Sequence, residues 1–147
     1  MDIRQTQLND LDAWADLRQA LWPGHERDEM LQESREILDN DQAAAFIAWQ
    51  DDRAVGLIEG QIRRGDNAQL YGHVEGWYVA EEARGTGVGR ALMSALSEWF
   101  LHRRIRTVFS DTNPDYPLSP AAHQAAGFEE VGRMIIYRKR LDLDADR

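Results

Sequence analysis

The stretch Val79-Ala80-Glu81-Glu82-Ala83-Arg84-Gly85-Thr86-Gly87-Val88-Gly89-Arg90 joins two apolar runs of different period. Residues 71–79, before it, are rich in β-favouring side chains and predict a strand. Residues 88–103, after it, carry apolar side chains at three- and four-residue spacing and predict an amphipathic helix. Glycines at such a junction let backbone N–H groups converge, and the helix N-terminus adds about half a positive charge. The junction therefore predicts a cradle for a pyrophosphate group.

Three phosphate-binding motifs place glycines in this way, and the spacing separates them. A Walker A loop ends in Gly-Lys-Ser/Thr, whereas Gly89 is followed here by Arg90. A dinucleotide-binding fingerprint, Gly-x-Gly-x-x-Gly, follows the first strand of a domain. Counted from Gly85, its third glycine would fall at position 90, which is an arginine here. The coenzyme A loop, Gln/Arg-x-x-Gly-x-Gly/Ala, is matched by Arg84, Gly87 and Gly89. A purely structural turn remains the alternative for the loop taken alone.

Length and composition limit the other possibilities. The 147 residues contain no linker or repeat, so we expect a single domain over residues 1–147 with a charged tail from about residue 142. There are no cysteines, no apolar run of the roughly 18 residues that span a membrane and no signal-peptide pattern, which together predict a cytoplasmic location. The net charge of −9 opposes nucleic-acid binding. It favours a cationic small molecule or a basic peptide as substrate, unless the acidity serves solubility alone.

The apolar patterns predict elements in the order β-α-α-β-β-β-α-β-α-β-β. Strands are expected from Ile3 and over 44–49, 54–63, 71–79, 107–110, 128–131 and 134–139. Helices are expected from Asn9, over 28–38 and 88–103, and from Ser119 as N-cap to Gly127. An antiparallel meander followed by a βαβ crossover is typical of an α/β (α+β) fold with a mixed sheet flanked by helices. It excludes a Rossmann sheet and an all-β sandwich.

Beyond the glycine loop, the chain resembles the GNAT superfamily of acetyl-CoA-dependent N-acetyltransferases over nearly its whole length. Several segments are similar to the aminoglycoside 6'-N-acetyltransferases: Leu21-Trp22-Pro23-Gly24-His25, Val74-Glu75-Gly76-Trp77-Tyr78-Val79, Ser110-Asp111-Thr112, Ser119 with His123-Gln124-Ala125, and Gly127-Phe128-Glu129-Glu130 ending in Tyr137-Arg138-Lys139. The resemblance implies a twisted central sheet with acetyl-CoA in the V between the fourth and fifth strands. It also implies a homodimer assembled partly through the C-terminal strands.

The resemblance assigns residues to both substrates. The positions implied in aminoglycoside contact are Trp22, His25, Glu75 and Asp111. The positions implied in acetyl-CoA binding are Trp77, Tyr78, Val79, Arg84, Gly85, Thr86, Gly87, Val88, Gly89 and Tyr116, the last in place of an asparagine. Two departures leave open which aminoglycosides fit. The loop 65–72 is shortened, and the tyrosine expected near Asp66 is absent unless Tyr71 replaces it. Gly132 stands where a glutamate is expected between Val131 and Arg133.

Three residues are candidates for the chemistry of acetyl transfer: Glu75, Asp111 and His123. Alternation along a strand predicts that Glu75 faces the same side as Trp77 and Val79, where a carboxylate could hold an ammonium and pass its proton to water. The alternatives are an exposed strand carboxylate for Glu75 and an Asx turn for Asp111. His123 stands where many GNAT enzymes carry the tyrosine that protonates the departing thiolate.

The remaining histidines, His73 and His102, are isolated in the sequence, and no spacing of His, Asp or Glu predicts a metal site. The favoured hypothesis is acetylation of the 6'-amino group of aminoglycosides by direct attack of the amine on acetyl-CoA, an antibiotic-resistance activity. One rival is a GNAT enzyme for a polyamine, another small amine or a protein N-terminus. A second rival is a non-catalytic acyl-CoA-binding regulator.

Overall fold

The computed structural model describes residues 1–113, 115, 116 and 118–142. The strands are β1 (Asp2–Gln5), β2 (Ala43–Gln50), β3 (Arg53–Arg64), β4 (Leu70–Val79) and β5 (Val108–Ser110). The helices are α1 (Leu11–Leu21), α2 (Arg27–Asp39), α3 (Val88–His102) and α4 (Ser119–Ala125). The sheet has the order β1-β2-β3-β4-β5, in which the first four strands pair antiparallel and β5 runs parallel to β4. The predicted mixed sheet is confirmed.

Helix α3 approaches one face of the sheet closely, because glycines lie beneath its large side chains. A Cβ on each of three strand glycines would come within 2.7–2.9 Å of a buried side chain: Gly56 against Leu92, Gly60 against Leu96 and Gly72 against Phe100. Any larger residue at these positions would push the helix outward. The close contact fixes α3, and with it the glycine loop at its N-terminus, relative to β3 and β4.

Helices α1 and α2 cover the opposite face, where a charged network is buried among apolar side chains. Trp14 and Leu17 of α1 pack against β2 and β3. Glu59 of β3 accepts hydrogen bonds from the Trp14 indole at 2.8 Å and from Arg18 at 2.5 and 2.7 Å. Arg18 also pairs with Glu33 of α2. The network therefore ties both helices to the centre of the sheet.

The sheet opens between β4 and β5. Strand β5 pairs with β4 over only three residues, Gly72 to Val74 against Val108 to Ser110. On its other edge β4 pairs with β3 as far as Val79. Residues 75–79 therefore keep one backbone edge that β5 does not pair, and this edge leads directly into the glycine loop. The opening lies where the sequence predicts a V-shaped cleft.

The two predicted closing strands, at 128–131 and 134–139, are wrong for the described residues. Residues 128–142 form no strand, and five of the large apolar side chains after Phe128 are 73–87% exposed: Val131, Met134, Ile135, Ile136 and Tyr137. An extended apolar segment becomes a strand only where another strand satisfies its N–H and C=O groups. Within the described part of one chain, that partner is missing.

Two predicted helix starts are also wrong by one or two residues. Leu118 occupies the N-cap of α4, and Ser119 is its first helical residue. Helix α1 begins at Leu11, with Asp10 at its N-cap, because a short 3-10 turn takes up Asn9. Both differences shift a boundary and leave the order of the elements unchanged.

Candidate active site

The glycine loop is built on two residues with left-handed backbone. Gly85 and Gly87 have φ angles of 76° and 90°, a region that glycine enters without a Cβ clash. The Nε of Arg84 donates to the Val79 carbonyl at 2.9 Å, which ties the loop to the end of β4. Gly87 is itself the N-cap of α3. The loop therefore delivers the chain from the edge of the cleft directly into a helix N-terminus.

The loop fits a phosphate-bearing cofactor on two observations. A Cβ on Gly85 or Gly87 would meet no described atom within 4 Å, so the space beside the loop is open. The first backbone N–H groups of α3, from Val88 onward, have no acceptor within the helix. The Thr86 hydroxyl donates to the Ala83 carbonyl at 2.5 Å and holds the turn closed. Open space beside free N–H groups is the environment that a pyrophosphate requires.

The substitution Gly87→Val is expected to reduce acetyl-CoA affinity by more than about tenfold, measured by calorimetry. A β-branched residue in this left-handed region costs on the order of 1–3 kcal/mol, and its side chain would fill the space that the pyrophosphate needs. Gly24→Val is the matched control, since Gly24 has a φ of 94° and equally open surroundings but lies outside the loop. Unchanged affinity in a folded Gly87→Val protein would contradict the assignment of the loop.

A β-bulge at Glu75 changes the faces of β4. The partner of β3 jumps from Gly76 to Val74 between consecutive β3 residues, so Glu75 has no partner across this pair of strands. One inserted residue reverses the alternation of side chains beyond it. Trp77 and Val79 consequently pack on the α3 side of the sheet, whereas Glu75 lines a cavity on the α1 side. The prediction that Glu75, Trp77 and Val79 share one face is therefore wrong.

Glu75 and Asp111 lie on either side of a histidine. The His73 Nδ1 is 3.3 Å from Glu75 Oε1, and its Nε2 is 3.9 Å from Asp111 Oδ1. Arg63 of β3 donates to both oxygens of Glu75, at 2.7 and 2.9 Å from Nη2 and at 3.1 Å from Nε. His73 and Arg63 are not among the residues predicted for the site, although the spacing His73-x-Glu75 on one strand was an available signal for His73. The side chain of Asp111 is 83% exposed, so the group opens to solvent at Asp111.

Trp22 packs beside Glu75 at the end of α1. A Cβ on Gly76 would lie 2.7 Å from the Trp22 ring, so only glycine admits the indole here. A cavity of about 340 Å³ extends from Trp22 between α1, α2, β3 and β4. Its charged and aromatic lining consists of Arg18, Trp22, Glu33, Glu36, Glu59 and Glu75. Because carboxylates outnumber the single arginine in this lining, the cavity favours a cationic ligand.

His123 is held by hydrogen bonds on both ring nitrogens. Its Nδ1 lies 2.7 Å from the Ser119 carbonyl, which can only accept, so this nitrogen carries the proton. Its Nε2 then accepts from the Ser110 hydroxyl at 2.7 Å. The ring also contacts Trp77 and Phe128 edge-on, with centroids 5.2 and 5.3 Å away. His123 therefore lies between the end of β5 and Trp77, and Ser119 orients it instead of capping α4.

The other residues predicted for the site differ in exposure. The Trp77 indole donates to the Gly89 carbonyl at 3.1 Å and so joins β4 to the start of α3. Tyr78 packs against the α1 side of the sheet. Tyr116, between β5 and α4, is 45% exposed, and His25 is exposed in the turn between α1 and α2. The side chains of Tyr116 and His25 are thus open to solvent, while those of Trp77 and Tyr78 are partly buried.

Residues 11–128 match the family model described as Acetyltransferase (GNAT) family. The chain belongs to the GNAT acetyltransferase family. It is an acetyl-CoA-dependent N-acetyltransferase, as the loop, the cleft and the family together indicate. Within the residues described, this acetyltransferase has no helix with the length and apolar character to cross a membrane. The same residues contain no group of three or more His, Cys, Asp or Glu side chains that could hold a metal ion.

Individual relatives show which members of the family the chain is similar to. The acetyltransferase is 41% identical over 144 residues to aminoglycoside N(6')-acetyltransferase type 1 of Salmonella typhimurium, covering 95% of this chain and 99% of the relative. It is 37% identical over 148 residues to the enzyme of the same name from Stenotrophomonas maltophilia, covering 97% and 95%. Among solved structures, AAC(6')-Iy with the bisubstrate analog CoA-S-monomethyl-acetylneamine has a TM-score of 0.87 at 40% identity, covering 95% of this chain and 98% of that one.

Proposed function

We propose that this enzyme transfers the acetyl group of acetyl-CoA to the 6'-amino group of aminoglycosides. The observation that carries the proposal is the acidic cavity beside the opening of the sheet, with Glu75 on its wall and Trp22 next to it. An aminoglycoside bears several ammonium groups, and a cavity lined mainly by carboxylates favours such a cation over a neutral amine. The names of the relatives that cover nearly the whole chain support the same substrate class.

The proposed roles follow from where the side chains lie. Glu75 and Asp111 hold the ammonium that reacts, and the Trp22 ring forms a wall for the sugar, with His25 as a polar neighbour in the next turn. Bound acetyl-CoA supplies the thioester, and the residues that hold it are those of the glycine loop, the free edge of Trp77 to Val79 and Tyr116. His123 is the candidate proton donor for the departing sulfur. Its Nε2, which accepts from Ser110 in the neutral ring, must first be protonated for this role.

A pair of substrates tests the position of acetylation directly. Neomycin and paromomycin share a scaffold and differ in carrying an amine or a hydroxyl at position 6'. We expect neomycin to give coenzyme A release and a product whose NMR spectrum places the acetyl group on the 6'-nitrogen. Turnover of paromomycin should be lower by at least about a hundredfold. Equal turnover of the two compounds would contradict 6'-acetylation.

We infer that the enzyme works in the cytoplasm, where acetyl-CoA is available. The absence of cysteine from all 147 residues is compatible with a reducing compartment. Fractionation of cells that express the full chain should recover the enzyme with cytoplasmic marker proteins. Recovery with periplasmic markers would contradict this location.

We also propose that the enzyme is a homodimer. The apolar side chains of residues 134–137 are 78–87% exposed, which is unusual for four consecutive residues of a monomer. Strand β5 ends the sheet, and Phe109 on it is 44% exposed. A second copy that paired its own residues 134–137 would satisfy both backbone edges and cover these side chains. The segment predicted as a closing strand would then form only in the assembled dimer.

Light scattering coupled to size exclusion tests this assembly. For the wild-type chain of 16.9 kDa, light scattering at micromolar concentration is expected to give a molar mass of twice that value. Ile136→Asp should shift it toward the monomer, because a charge would be buried in the interface. Leu101→Asp is the matched control, since Leu101 is an exposed apolar residue of α3 outside this segment. A wild-type monomer would contradict the proposal.

A further inference from the structure

His73 is a largely buried histidine that has no role in the sequence predictions or in the proposal above. It lies on β4 just before the bulge, pairs with Phe109 across the β4–β5 ladder, and its side chain is only 12% exposed. Its ring stands between the two candidate carboxylates, 3.3 Å from Glu75 Oε1 and 3.9 Å from Asp111 Oδ1. Imidazole is the side chain whose proton exchange is suited to base catalysis near neutral pH. The position of His73 between two candidate site carboxylates therefore makes it a candidate for a role in proton transfer.

Glu75 is the nearer of the two carboxylates to the ring. The Nδ1 atom is buried without a hydrogen-bond partner among the described residues, and Glu75 Oε1 lies 3.3 Å from it. Because a carboxylate only accepts and Asp111 Oδ1 is farther from Nε2, at 3.9 Å, the neutral ring is expected to carry its hydrogen on Nδ1. In that tautomer Nε2 carries the lone pair. The charged groups that face the ring are Glu75 on its own strand, Asp111 after β5 and, through Glu75, Arg63 on β3.

We propose that His73 is the base that removes the proton from the substrate amine. The inference rests on the proposed function, since it needs an ammonium held by Asp111 at the opening of the cleft. The ammonium gives one proton to Nε2, and the resulting imidazolium lies between the carboxylates of Glu75 and Asp111, which stabilise its charge. The freed amine attacks the thioester carbon, and its second proton leaves with the departing thiol. The imidazolium then returns its proton to solvent, so the cycle is balanced.

Besides helping Asp111 to hold the ammonium, Glu75 positions the His73 ring in this arrangement. Both of its oxygens accept hydrogen bonds from Arg63, at 2.7 and 2.9 Å from one nitrogen. A carboxylate fixed in this way is poorly placed to leave its partner and collect a proton from the substrate. Its Oε1 lies 3.3 Å from Nδ1 of His73, so its charge can orient the ring as the acid does for histidine in hydrolase triads. In the proposed order Arg63, Glu75, His73, amine, the contact of Arg63 with Glu75 is hydrogen-bonded, and Nε2 of His73 faces the amine.

The test compares His73→Gln with His102→Gln, which removes an exposed histidine from the end of α3. We expect His73→Gln to lower kcat/KM for neomycin by about 10²–10⁴-fold, the range for loss of a general base. The acid limb of the pH profile of kcat/KM should disappear, imidazole in the buffer should restore part of the rate, and the KM for acetyl-CoA should stay unchanged. His102→Gln should behave as wild type throughout.

Two outcomes overturn the role of His73. One is a His73→Gln enzyme within about threefold of wild type with the same acid limb, which leaves 6'-acetylation standing. The other uses no variant: nitrogen-15 NMR of the histidine-labelled wild-type protein should show His73 protonated on Nδ1, and protonation on Nε2 would exclude it as the base. Wild-type enzyme that fails to acetylate neomycin would instead refute the proposed function, and the role of His73 with it.

Discussion

Glu75→Gln is expected to lower kcat/KM for an aminoglycoside by about one to two decades, through kcat as well as KM. A charge-assisted hydrogen bond contributes about 1.5–3 kcal/mol, which corresponds to a loss of this size. The carboxylate begins the free edge of β4 and lies 3.3 Å from His73, so its removal disturbs the reacting end and the ring together. Asp111→Asn is expected to raise KM for the aminoglycoside and to leave acetyl-CoA affinity intact.

Steady-state kinetics with kanamycin measure both changes. Glu98→Gln is the matched control, because it removes one carboxylate charge from the exposed side of α3. The double variant should lose less than the sum of the two single losses if both groups hold the same amine. If both single variants keep the wild-type kcat/KM, the two carboxylates are structural and the proposed substrate loses its chemical basis.

Arg18→Met is expected to reduce the free energy of unfolding by about 3–5 kcal/mol. The side chains of Arg18 and Glu59 are 5% and 3% exposed, and Arg18 donates to both oxygens of Glu59. Methionine fills part of the volume but leaves the carboxylate with the Trp14 indole alone. A buried carboxylate without its cation costs far more than the pair contributes.

The pH dependence of this loss has a definite sign. Burial raises the pKa of the Glu59 carboxyl above its ordinary value, against the opposing effects of Arg18 and Trp14. A carboxyl whose folded pKa lies above its unfolded pKa takes up a proton on folding between the two values, and stability falls as pH rises through that window. Removing Arg18 raises the pKa of the Glu59 carboxyl further, so the pH range over which stability falls extends to higher pH. The destabilisation should therefore be larger at about pH 8 than at about pH 5.

Denaturant unfolding of the wild-type and variant proteins at both pH values checks this prediction. Arg35→Met is the matched control, since Arg35 is exposed on α2, and its effect should stay within about 0.5 kcal/mol. An Arg18→Met protein as stable as wild type would show that the network does not hold α1 and α2 to the sheet. A destabilisation that shrinks as pH rises would contradict the charged state assigned to Glu59.

The glycine loop could be predicted from the sequence because its determinants are local. The change from strand to helix period and the glycines predict a turn between a strand and a helix, and the structure has that turn between β4 and α3. Gly85 and Gly87 adopt left-handed φ angles of 76° and 90° in it. The same holds for the meander, because each strand pairs with its neighbour in the chain. Local signals of this kind need no knowledge of distant partners.

The surroundings of the candidate carboxylates could not be predicted, because they depend on a bulge and on other strands. The bulge at Glu75 exists only in the register of β4 against β3, and it turns Trp77 and Val79 away from the face that Glu75 shares with His73. The contact of Glu75 with Arg63 likewise depends on a second strand. His73 looks isolated in the sequence because one of its neighbours, Asp111, follows a different strand. The prediction of two closing strands was wrong for the opposite reason. Their apolar pattern is clear, but the described part of one chain offers them no strand to pair with.

The substrate class is tested by measuring the release of coenzyme A thiol with kanamycin, tobramycin and spermidine side by side. We expect turnover of both aminoglycosides, with kcat/KM at least about tenfold above that of spermidine, because the acidic cavity accommodates several ammonium groups on a rigid scaffold. Faster turnover of spermidine, or no thiol release with either aminoglycoside, would contradict this substrate class.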